Sequence, residues 1–218
     1  MVKSRPFVIL NAATSIDGKI ATKNGDSKLS SSEDLKRVHK LRSQVDAILV
    51  GKNTVLRDNP LLTVRKVKGK NPIRIIVDSK GTIPSKTRIL QTSKSIPTII
   101  AVSKSISKSN LEKLKKFPVE IIISGTSNVN LKSLLRILYK KKISKILVEG
   151  GGTINWEFIK NNLFDELFIT VSPYIIGCSD SISFAEGTGF SKVLDSPKLS
   201  LKSIRRLKNH LVLYYVKL

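Results

Sequence analysis

The residues with the clearest chemical potential follow a short apolar run at positions 146–148. Glu149 comes first, and consecutive glycines lead from it to Thr153. Glycine lets the backbone adopt positive φ and approach a ligand closely. A helix that begins at Thr153 would direct its first N–H groups into this loop, where they favour an anion. Because a glycine cluster alone is weak evidence, an ordinary strand-to-helix turn is an equally good interpretation at this point.

The glycine loop matches none of the common catalytic or phosphate-binding motifs. The dinucleotide fingerprint G-x-G-x-x-G stands at a first strand–helix turn, with an acid about 20 residues later. Here the glycines come late in the chain and follow an acid. A P-loop ends in G-K-[ST], and no lysine follows these glycines. The sequence also contains no G-x-S-x-G elbow for a nucleophilic serine.

Histidine and cysteine are too rare in this chain for a transition-metal cluster. The single cysteine, Cys178, also excludes an internal disulfide. Neither His39 nor His210 has a recognisable catalytic partner in the sequence. His39 falls on a predicted helix, where we interpret it as a surface or boundary residue rather than a catalytic base. We therefore predict no metal site.

Length and composition indicate a globular protein. A chain of 218 residues fits one large domain or two small ones. Apolar residues make up 40% and charged residues 25%, which is ordinary for a folded domain. The N-terminus has no apolar signal core, and no run approaches the roughly 20 residues needed to span a bilayer. We expect a cytoplasmic protein without a membrane partner.

The net charge of +23 is compatible with nucleic-acid binding. The lysines, however, are scattered through predicted helices and loops, and the chain has no basic tail. Aromatic residues are only 6%, so platforms for base stacking are scarce. We keep a basic nucleic-acid-binding protein as the non-enzyme alternative and predict no nucleic-acid partner. A lysine-rich surface would also attract small phosphorylated ligands.

Hydrophobic patterns predict strands and helices that alternate over the first 160 residues. This alternation is typical of a mostly parallel sheet flanked by helices. The last quarter reads as strands with little helix between them, which indicates antiparallel strands at one edge. We predict a single α/β domain over residues 1–218. The predicted strands lie at 7–14, 47–50, 73–77, 98–102, 119–124, 146–148, 167–176, 199–207 and 211–216; the predicted helices begin near 30 and lie at 110–116 and 131–138.

The first helix and the segment after the second strand have clear local signals. Serines followed by acidic residues at 30–34 form a strong helix start. Arg42 lies at the edge of the apolar face of this helix. A short turn or helix carries Thr54 and Asp58 before Asn59 and Pro60 end it, and residues 61–64 are predicted to be briefly extended.

The predicted strand ends are unusually polar and rich in glycine. In an open α/β sheet, ligands bind in the crevice beyond the carboxyl ends of the strands. Together these ends predict one groove for a polar, phosphate-bearing ligand. They lie at residues 13–14, 51–54, 78–79, 124–125 and 149–153.

Several blocks in this order resemble the reductase of riboflavin biosynthesis, a family with the dihydrofolate-reductase-like fold. The likeness covers nearly the whole chain, from about residue 7 to the end. The blocks around 15–19 and 54–65 are the specific ones, and the glycine loop supports them. They are residues 11–21 (NAATSIDGKIA), 41–42 (LR), 54–65 (TVLRDNPLLTVR), 72–79 (PIRIIVDS), 147–152 (LVEGGG), 165–167 (DEL) and 173–177 (PYIIG).

The resemblance implies an enzyme that uses NADPH, with NADH left open, and that is usually a homodimer. Bacterial members carry a zinc deaminase with H-x-E and P-C-x-x-C, which a chain with one cysteine lacks. This chain resembles the stand-alone archaeal and fungal reductases, which convert the ribosyl group of 2,5-diamino-6-ribosylamino-4(3H)-pyrimidinone 5′-phosphate to ribityl. A reductase of the deaminated precursor and a dihydrofolate or pterin reductase remain as alternatives.

The resemblance also implies roles for individual residues. In the family's chemistry the ribose opens to an imine, which accepts hydride best when it is protonated. Glu149 is the expected carboxylate near this imine, and Lys19 is the expected proton donor or ribose anchor. The substrate positions are Ser27, Arg42, Leu62 and Arg65, and the arginines suit a 5′-phosphate. The cofactor positions are Ala13, Thr54, Asp58, Ser79, Gly150, Gly151, Gly152 and Thr153.

Two further cofactor residues are our own additions. Lys80 is a candidate partner for the cofactor 2′-phosphate, and Gly125 is chosen because it ends a predicted strand. One departure from the family is Leu29, which stands where bacterial members have tryptophan, so aromatic stacking is lost there. We interpret the glycines as the cradle for the cofactor pyrophosphate, with Glu149 facing the substrate.

Overall fold

The computed structural model describes residues 4–218, and these form a sheet covered by helices on both faces. In chain order the elements are β1 (Phe7–Thr14), β2 (Lys19–Ala21), α1 (Ser32–Arg42), β3 (Ala47–Gly51), α2 (Lys52–Asp58), β4 (Ile73–Val77), α3 (Arg88–Gln91), β5 (Thr98–Val102), α4 (Lys108–Lys115), β6 (Glu120–Ile123), α5 (Leu131–Lys140), β7 (Lys145–Val148), α6 (Gly152–Lys160), β8 (Glu166–Val171), β9 (Ile182–Ser183), β10 (Leu199–Leu207) and β11 (His210–Lys217).

The main sheet has nine strands within residues 4–218, in the order β10-β11-β8-β1-β7-β3-β4-β5-β6. The strands from β8 to β6 pair in parallel, whereas β11 pairs antiparallel with β8 and β10 antiparallel with β11. This arrangement confirms the predicted mostly parallel sheet with antiparallel C-terminal strands. A short second sheet pairs β2 with β9.

The central strands are apolar along their length because both of their faces are buried. Val8 and Leu10 of β1 pack in one core with α5 and α6, whereas Ile9 packs in the other core with α2, α3 and α4. Alternating side chains of one strand therefore hold two layers of helices. The carboxyl ends of these strands remain uncovered and carry the polar segments.

A buried polar network attaches α1 to the sheet. Asp34 is fully buried, accepts a hydrogen bond from Thr170 Oγ1 on β8 (2.8 Å) and pairs with Arg37 (2.8 Å). Arg37 Nη2 also donates to Asn11 Oδ1 on β1 (2.8 Å). Because Asp34 stands in the first turn of α1, the network fixes this helix against β1 and β8 and so sets the position of its C-terminal residues.

The structure corrects two predicted strands. Residues 61–64 form neither strand nor helix, and side chains of other segments bind their backbone instead. The strand predicted at 167–176 ends at Val171, because Pro173 has no N–H to continue a ladder. The helix α3 and the pair β2–β9 lack a clear signal in the sequence. Within residues 4–218, no helix is long and apolar enough to cross a bilayer.

Candidate active site

Two clefts meet at the carboxyl ends of the parallel strands. The large cleft, about 420 Å³, lies between the ends of β3 and β4 and the start of α6. The small cleft, about 280 Å³, lies between the end of β1, α1 and the glycine loop. Thr54, Arg57 and Gly151 line both, so the two spaces are adjacent. Among the sequence-predicted residues, the large cleft takes Ser79, Lys80, Gly152 and Thr153, and the small cleft takes Ala13, Ser27, Arg42, Asp58, Glu149 and Gly150.

The glycine loop forms the wall between the clefts. Gly150 has φ +77°, which favours glycine, and the Gly150–Gly151 peptide is cis. Gly150 O accepts a hydrogen bond from Gly51 N (2.8 Å), and Gly151 N donates to Thr54 Oγ1 (2.8 Å). A Cβ on Gly152 would lie 2.5 Å from the backbone oxygen of Ser183. The loop therefore depends on glycine for its conformation and for its close packing.

The α6 N-terminus opens into the large cleft. Its N-cap is Gly151, no side chain of the described residues caps it, and its first turn contains no acidic residue. The first N–H groups of a helix have no partner within the helix and carry partial positive charge. Lys52 and Lys80 line the same cleft. Glu186 also lines the cleft and lies beside Gly152. This end of the cleft therefore offers N–H donors and two lysines to a phosphate group, with one carboxylate close by.

The end of β4 supplies the far wall of the large cleft. Ser79 lines the cleft, and its Oγ accepts a hydrogen bond from Val129 N (3.0 Å). Gly125 lies outside the residues that line either cleft. It has φ +84°, and a Cβ there would lie 2.1 Å from Asn128 O, so the turn itself requires glycine. Asn128 is the residue of this turn that reaches the large cleft.

In the small cleft, Arg42 and Glu149 form a two-pronged ion pair. Arg42 Nε donates to Glu149 Oε1 (2.8 Å) and Nη2 donates to Oε2 (2.7 Å). Both side chains are only 12% exposed. Burial opposes the charged form of Arg42, but the carboxylate of Glu149 outweighs it and raises the arginine pKa. We expected Arg42 at the substrate phosphate and Glu149 at the reacting carbon. In the structure Arg42 instead holds the carboxylate of Glu149.

Arg65 stands beside this pair without belonging to it. Its guanidinium donates to Thr63 Oγ1, while Arg42 Nη1 donates to Thr63 O (3.1 Å). Burial lowers the pKa of Arg65, and the nearby charges of Arg42 and Arg88 lower it further. Two guanidinium groups therefore approach one residue, and the carboxylate of Glu149 pairs with only one of them.

The predicted surface or boundary position of His39 was wrong. His39 is 3% exposed, and its Nδ1 accepts a hydrogen bond from Arg65 N (2.8 Å). The segment after Asn59 folds over α1 and covers the ring, which sequence periodicity within the helix does not reveal. Leu62, in the same segment, has φ +53° and packs in the core. Only the backbone of Leu62 is therefore left to contact a ligand.

Asp58 lies in the small cleft and not in the large one. Ser27 Oγ donates to Asp58 Oδ1 (3.2 Å). Burial raises the pKa of Asp58, and the hydrogen bond from Ser27 and the charge of Arg57 offset part of this effect. Lys19 stands next to the small cleft, with Nζ donating to Ser183 Oγ (3.1 Å) and to Ser181 O (3.4 Å). Its neighbours Ile20 and Ala21 line the cleft directly.

Several residues that line these clefts were not singled out from the sequence, and Arg57 and Asn155 are two polar examples. Arg57 lines both, and its side chain packs on Gly25, where a Cβ would lie 2.9 Å away. Asn155 is 1% exposed and donates from Nδ2 to Phe184 O (2.9 Å), and its Oδ1 has no partner within the described residues. Arg57 could have been identified from the sequence, because it lies within the specific TVLRD block. For Asn155 the sequence offers only its place in the first turn after the glycines.

Comparison with known proteins places the chain in a family. Residues 6–213 match the model of the RibD C-terminal domain family. The chain belongs to this family. It is 41% identical over 214 residues to the 2,5-diamino-6-ribosylamino-4(3H)-pyrimidinone 5′-phosphate reductase of Methanothermobacter thermautotrophicus, covering 97% of this chain and 98% of the relative. The reductase of the same name from Aquifex aeolicus is 40% identical over 204 residues, with 91% of each chain covered.

A solved structure shows the same fold. The deaminase/reductase of Thermotoga maritima superposes with a TM-score of 0.81 at 32% identity. The superposition covers 98% of this chain but 57% of the Thermotoga chain, so this chain spans little more than half of that protein. The predicted dihydrofolate-reductase-like fold, the predicted family and the prediction of a reductase of riboflavin biosynthesis are confirmed.

Proposed function

We propose that this chain reduces the ribosyl group of 2,5-diamino-6-ribosylamino-4(3H)-pyrimidinone 5′-phosphate to ribityl with NADPH. The observation that carries the proposal is the junction of the two clefts. Thr54 and Gly151 line both, and Glu149 lines the small cleft beside them. A cofactor in one cleft and a sugar in the other would therefore meet at one carboxylate. Relatives at 41% and 40% identity are named for this substrate, which supports the choice.

We assign the large cleft to the dinucleotide. Its volume of about 420 Å³ lies within the range of ordinary ligand sites. The N–H groups of Gly152 and Thr153 at the start of α6 would hold the pyrophosphate, since the first turn of α6 has no acidic residue and its N-cap, Gly151, has no capping side chain. Ser79 and Lys80, at the end of β4, would hold the ribose and its 2′-phosphate. The preference for NADPH over NADH rests on the charge of Lys80.

The small cleft fits a phosphorylated sugar. Bound NADPH supplies a hydride to the sugar C1. The ring oxygen, which leaves C1 when the ring opens, needs a proton. Glu149, held by Arg42, would stabilise positive charge that develops at that carbon. Lys19 would provide the proton, exchanging its long 3.4 Å contact with Ser181 O for the substrate oxygen. The balanced reaction consumes one hydride and one proton and opens the C–O bond of the ribose ring.

Ser27 and Asp58 would bind polar groups of the substrate. Their mutual hydrogen bond places a hydroxyl and a carboxyl on one wall of the small cleft. Arg65 lies beside Arg42, just outside the residues that line the small cleft, and its guanidinium donates to Thr63 Oγ1; we assign it to the 5′-phosphate. Arg42 contributes less to the phosphate than Arg65 does, because its charge is paired with Glu149.

The experiment that tests this proposal is a turnover assay with purified protein and NADPH. The diamino precursor, its deaminated counterpart and dihydrofolate are compared, and the product is identified by mass spectrometry. We expect kcat/KM to be highest for the diamino precursor. Turnover of dihydrofolate alone would contradict the proposal. Lys80→Ala should weaken NADPH binding and leave NADH binding unchanged; equal losses for both would remove Lys80 from the 2′-phosphate site.

A further inference from the structure

The segment between α2 and β4 contains Arg65 and lacks regular structure over residues 59–65, which we call the 59–65 loop. Side chains from other segments bind the backbone of four of its residues. The contacts are Arg74 Nη1 to Leu61 O (3.3 Å), Arg42 Nη1 to Thr63 O (3.1 Å), Asn71 Oδ1 from Val64 N (2.8 Å) and His39 Nδ1 from Arg65 N (2.8 Å). These hydrogen bonds therefore set the conformation of the loop. His39 holds Arg65, the residue of this loop that we assign to the substrate phosphate.

His39 is built to accept a hydrogen bond. It lies on α1 one turn before Arg42 and is 3% exposed. An imidazole that accepts at Nδ1 must be neutral, with its proton on Nε2. Burial and the adjacent charges of Arg42, Arg65 and Lys66 lower its pKa to about 4, with Glu149 acting in the opposite direction. At neutral pH the ring thus adds an acceptor without adding a further cation beside the arginines.

We propose that His39 is a positioning residue, which holds the backbone of Arg65 so that the guanidinium groups of Arg65 and Arg42 face one anion. Both guanidinium groups contact Thr63, one through its hydroxyl and the other through its carbonyl oxygen. A shift of the Arg65 backbone would separate the two cations. The proposal rests on the proposed function in one respect, since it takes the anion to be the phosphate of the substrate.

The competing explanation is that His39 only fills buried space. Leucine has a similar volume and no acceptor, so His39→Leu separates the two explanations. Asparagine places its amide oxygen near the position of Nδ1, so His39→Asn should restore the hydrogen bond. Asn130→Ala is the matched control for general destabilisation, because it removes the N-cap of α5 on the other face of the sheet.

Steady-state kinetics of these variants test the proposal. We expect His39→Leu to raise KM for the phosphorylated precursor about five- to tenfold, the worth of one buried hydrogen bond. We expect kcat and the KM for NADPH to stay near wild type, and His39→Asn and Asn130→Ala to resemble wild type throughout. Adding Arg65→Ala to His39→Leu should have much less effect than Arg65→Ala alone, because both act on one interaction.

Three results would overturn the proposal. They are an unchanged KM in His39→Leu, an equal rise in KM for both substrates, and a failure of His39→Asn to restore binding. If His39→Leu does not fold, His39→Gln replaces it. The amide oxygen of glutamine lies farther from the main chain than Nδ1 of histidine does, so it should not accept the hydrogen bond from Arg65 N. His39→Gln should then raise the same KM that His39→Asn preserves.

A second measurement separates this proposal from the proposed function. If wild type fails to reduce the precursor, the function is wrong, and His39 is then tested by hydrogen exchange of the Arg65 amide and by titration with inorganic phosphate. His39→Leu should accelerate exchange at Arg65 and weaken phosphate binding, whereas Asn130→Ala should change neither. An Arg65 amide that exchanges equally fast in wild type and His39→Leu would show that His39 does not hold it.

Discussion

The two clefts of this molecule are built in different ways. The large cleft consists of strand ends, a glycine loop and a helix N-terminus, so its shape follows from the backbone of the sheet. The small cleft depends on side chains that cross between distant segments, above all the pair of Arg42 and Glu149, and the anchored 59–65 loop contacts this pair through Arg42. The shape of the backbone-built cleft should survive the loss of individual side chains, whereas the shape of the side-chain-built cleft should not.

The largest expected effect is that of Glu149→Gln in the small cleft. Glutamine keeps a hydrogen bond to Arg42 but loses the charge that stabilises the reacting carbon. We expect kcat to fall about 100-fold or more, as for other groups that stabilise transition-state charge. The measurement is steady-state turnover beside Glu120→Gln, which removes a carboxylate from an exposed ion pair. Near-wild-type turnover of Glu149→Gln would remove Glu149 from the chemistry.

Arg74→Lys tests whether a buried side chain maintains the small cleft from outside it. Arg74 is fully buried and donates to Thr98 Oγ1, Ile89 O and Leu61 O, among other oxygens. Burial lowers its pKa to about 10. Lysine offers fewer donors in one plane, so we expect a loss of about 2–4 kcal/mol in unfolding free energy.

The same variant should raise KM for the precursor more than the Kd for NADPH, because it releases the 59–65 loop and not the large cleft. Chemical denaturation and NADPH titration of Arg74→Lys measure both quantities, and Arg136→Lys on α5 is the exposed control. Equal losses in the two clefts would contradict the contrast between them.

Two neighbouring glycines test the backbone-built cleft. A Cβ on Gly151 would meet only Thr54 Oγ1, at an ordinary 3.5 Å, whereas one on Gly152 would lie 2.5 Å from Ser183 O. Gly151→Ala should therefore keep its stability within about 0.5 kcal/mol and weaken NADPH about tenfold, because its methyl enters the cleft. Gly152→Ala should lose about 1–3 kcal/mol in unfolding free energy. Identical behaviour of the two variants would show that the glycines do not divide these roles.

The smallest expected effect is a pH dependence from His39. Its pKa is about 4 in the folded protein against an ordinary 6.5, so the fold favours the neutral ring. This contribution to stability is present above pH 6.5 and is lost as pH falls from 6.5 toward 4, because the unfolded chain then binds the proton. Wild type should lose more stability than His39→Asn across this interval in urea titrations. Parallel curves would contradict the low pKa.

The same contrast explains what could be predicted from the sequence. Apolar runs and polar strand ends predict the sheet and the large cleft, because strand periodicity and the location of ligands in α/β sheets are local or general rules. The buried position of His39 and the bond between Arg42 and Glu149 join residues far apart in the chain. No spacing rule predicts such contacts. Gly125 illustrates a related limit, since its turn itself requires glycine and the residue lines neither cleft.

The central claim, that the two clefts act together in one reduction, is tested most directly by isotope transfer. Wild type is incubated with the diamino precursor and with NADPH that carries deuterium at the nicotinamide C4, in one and then in the other stereochemical position. We predict that one of the two labelled cofactors gives a ribityl product with a single deuterium on the carbon that was the sugar C1. An unlabelled product from both cofactors, or no ribityl product at all, would contradict the account.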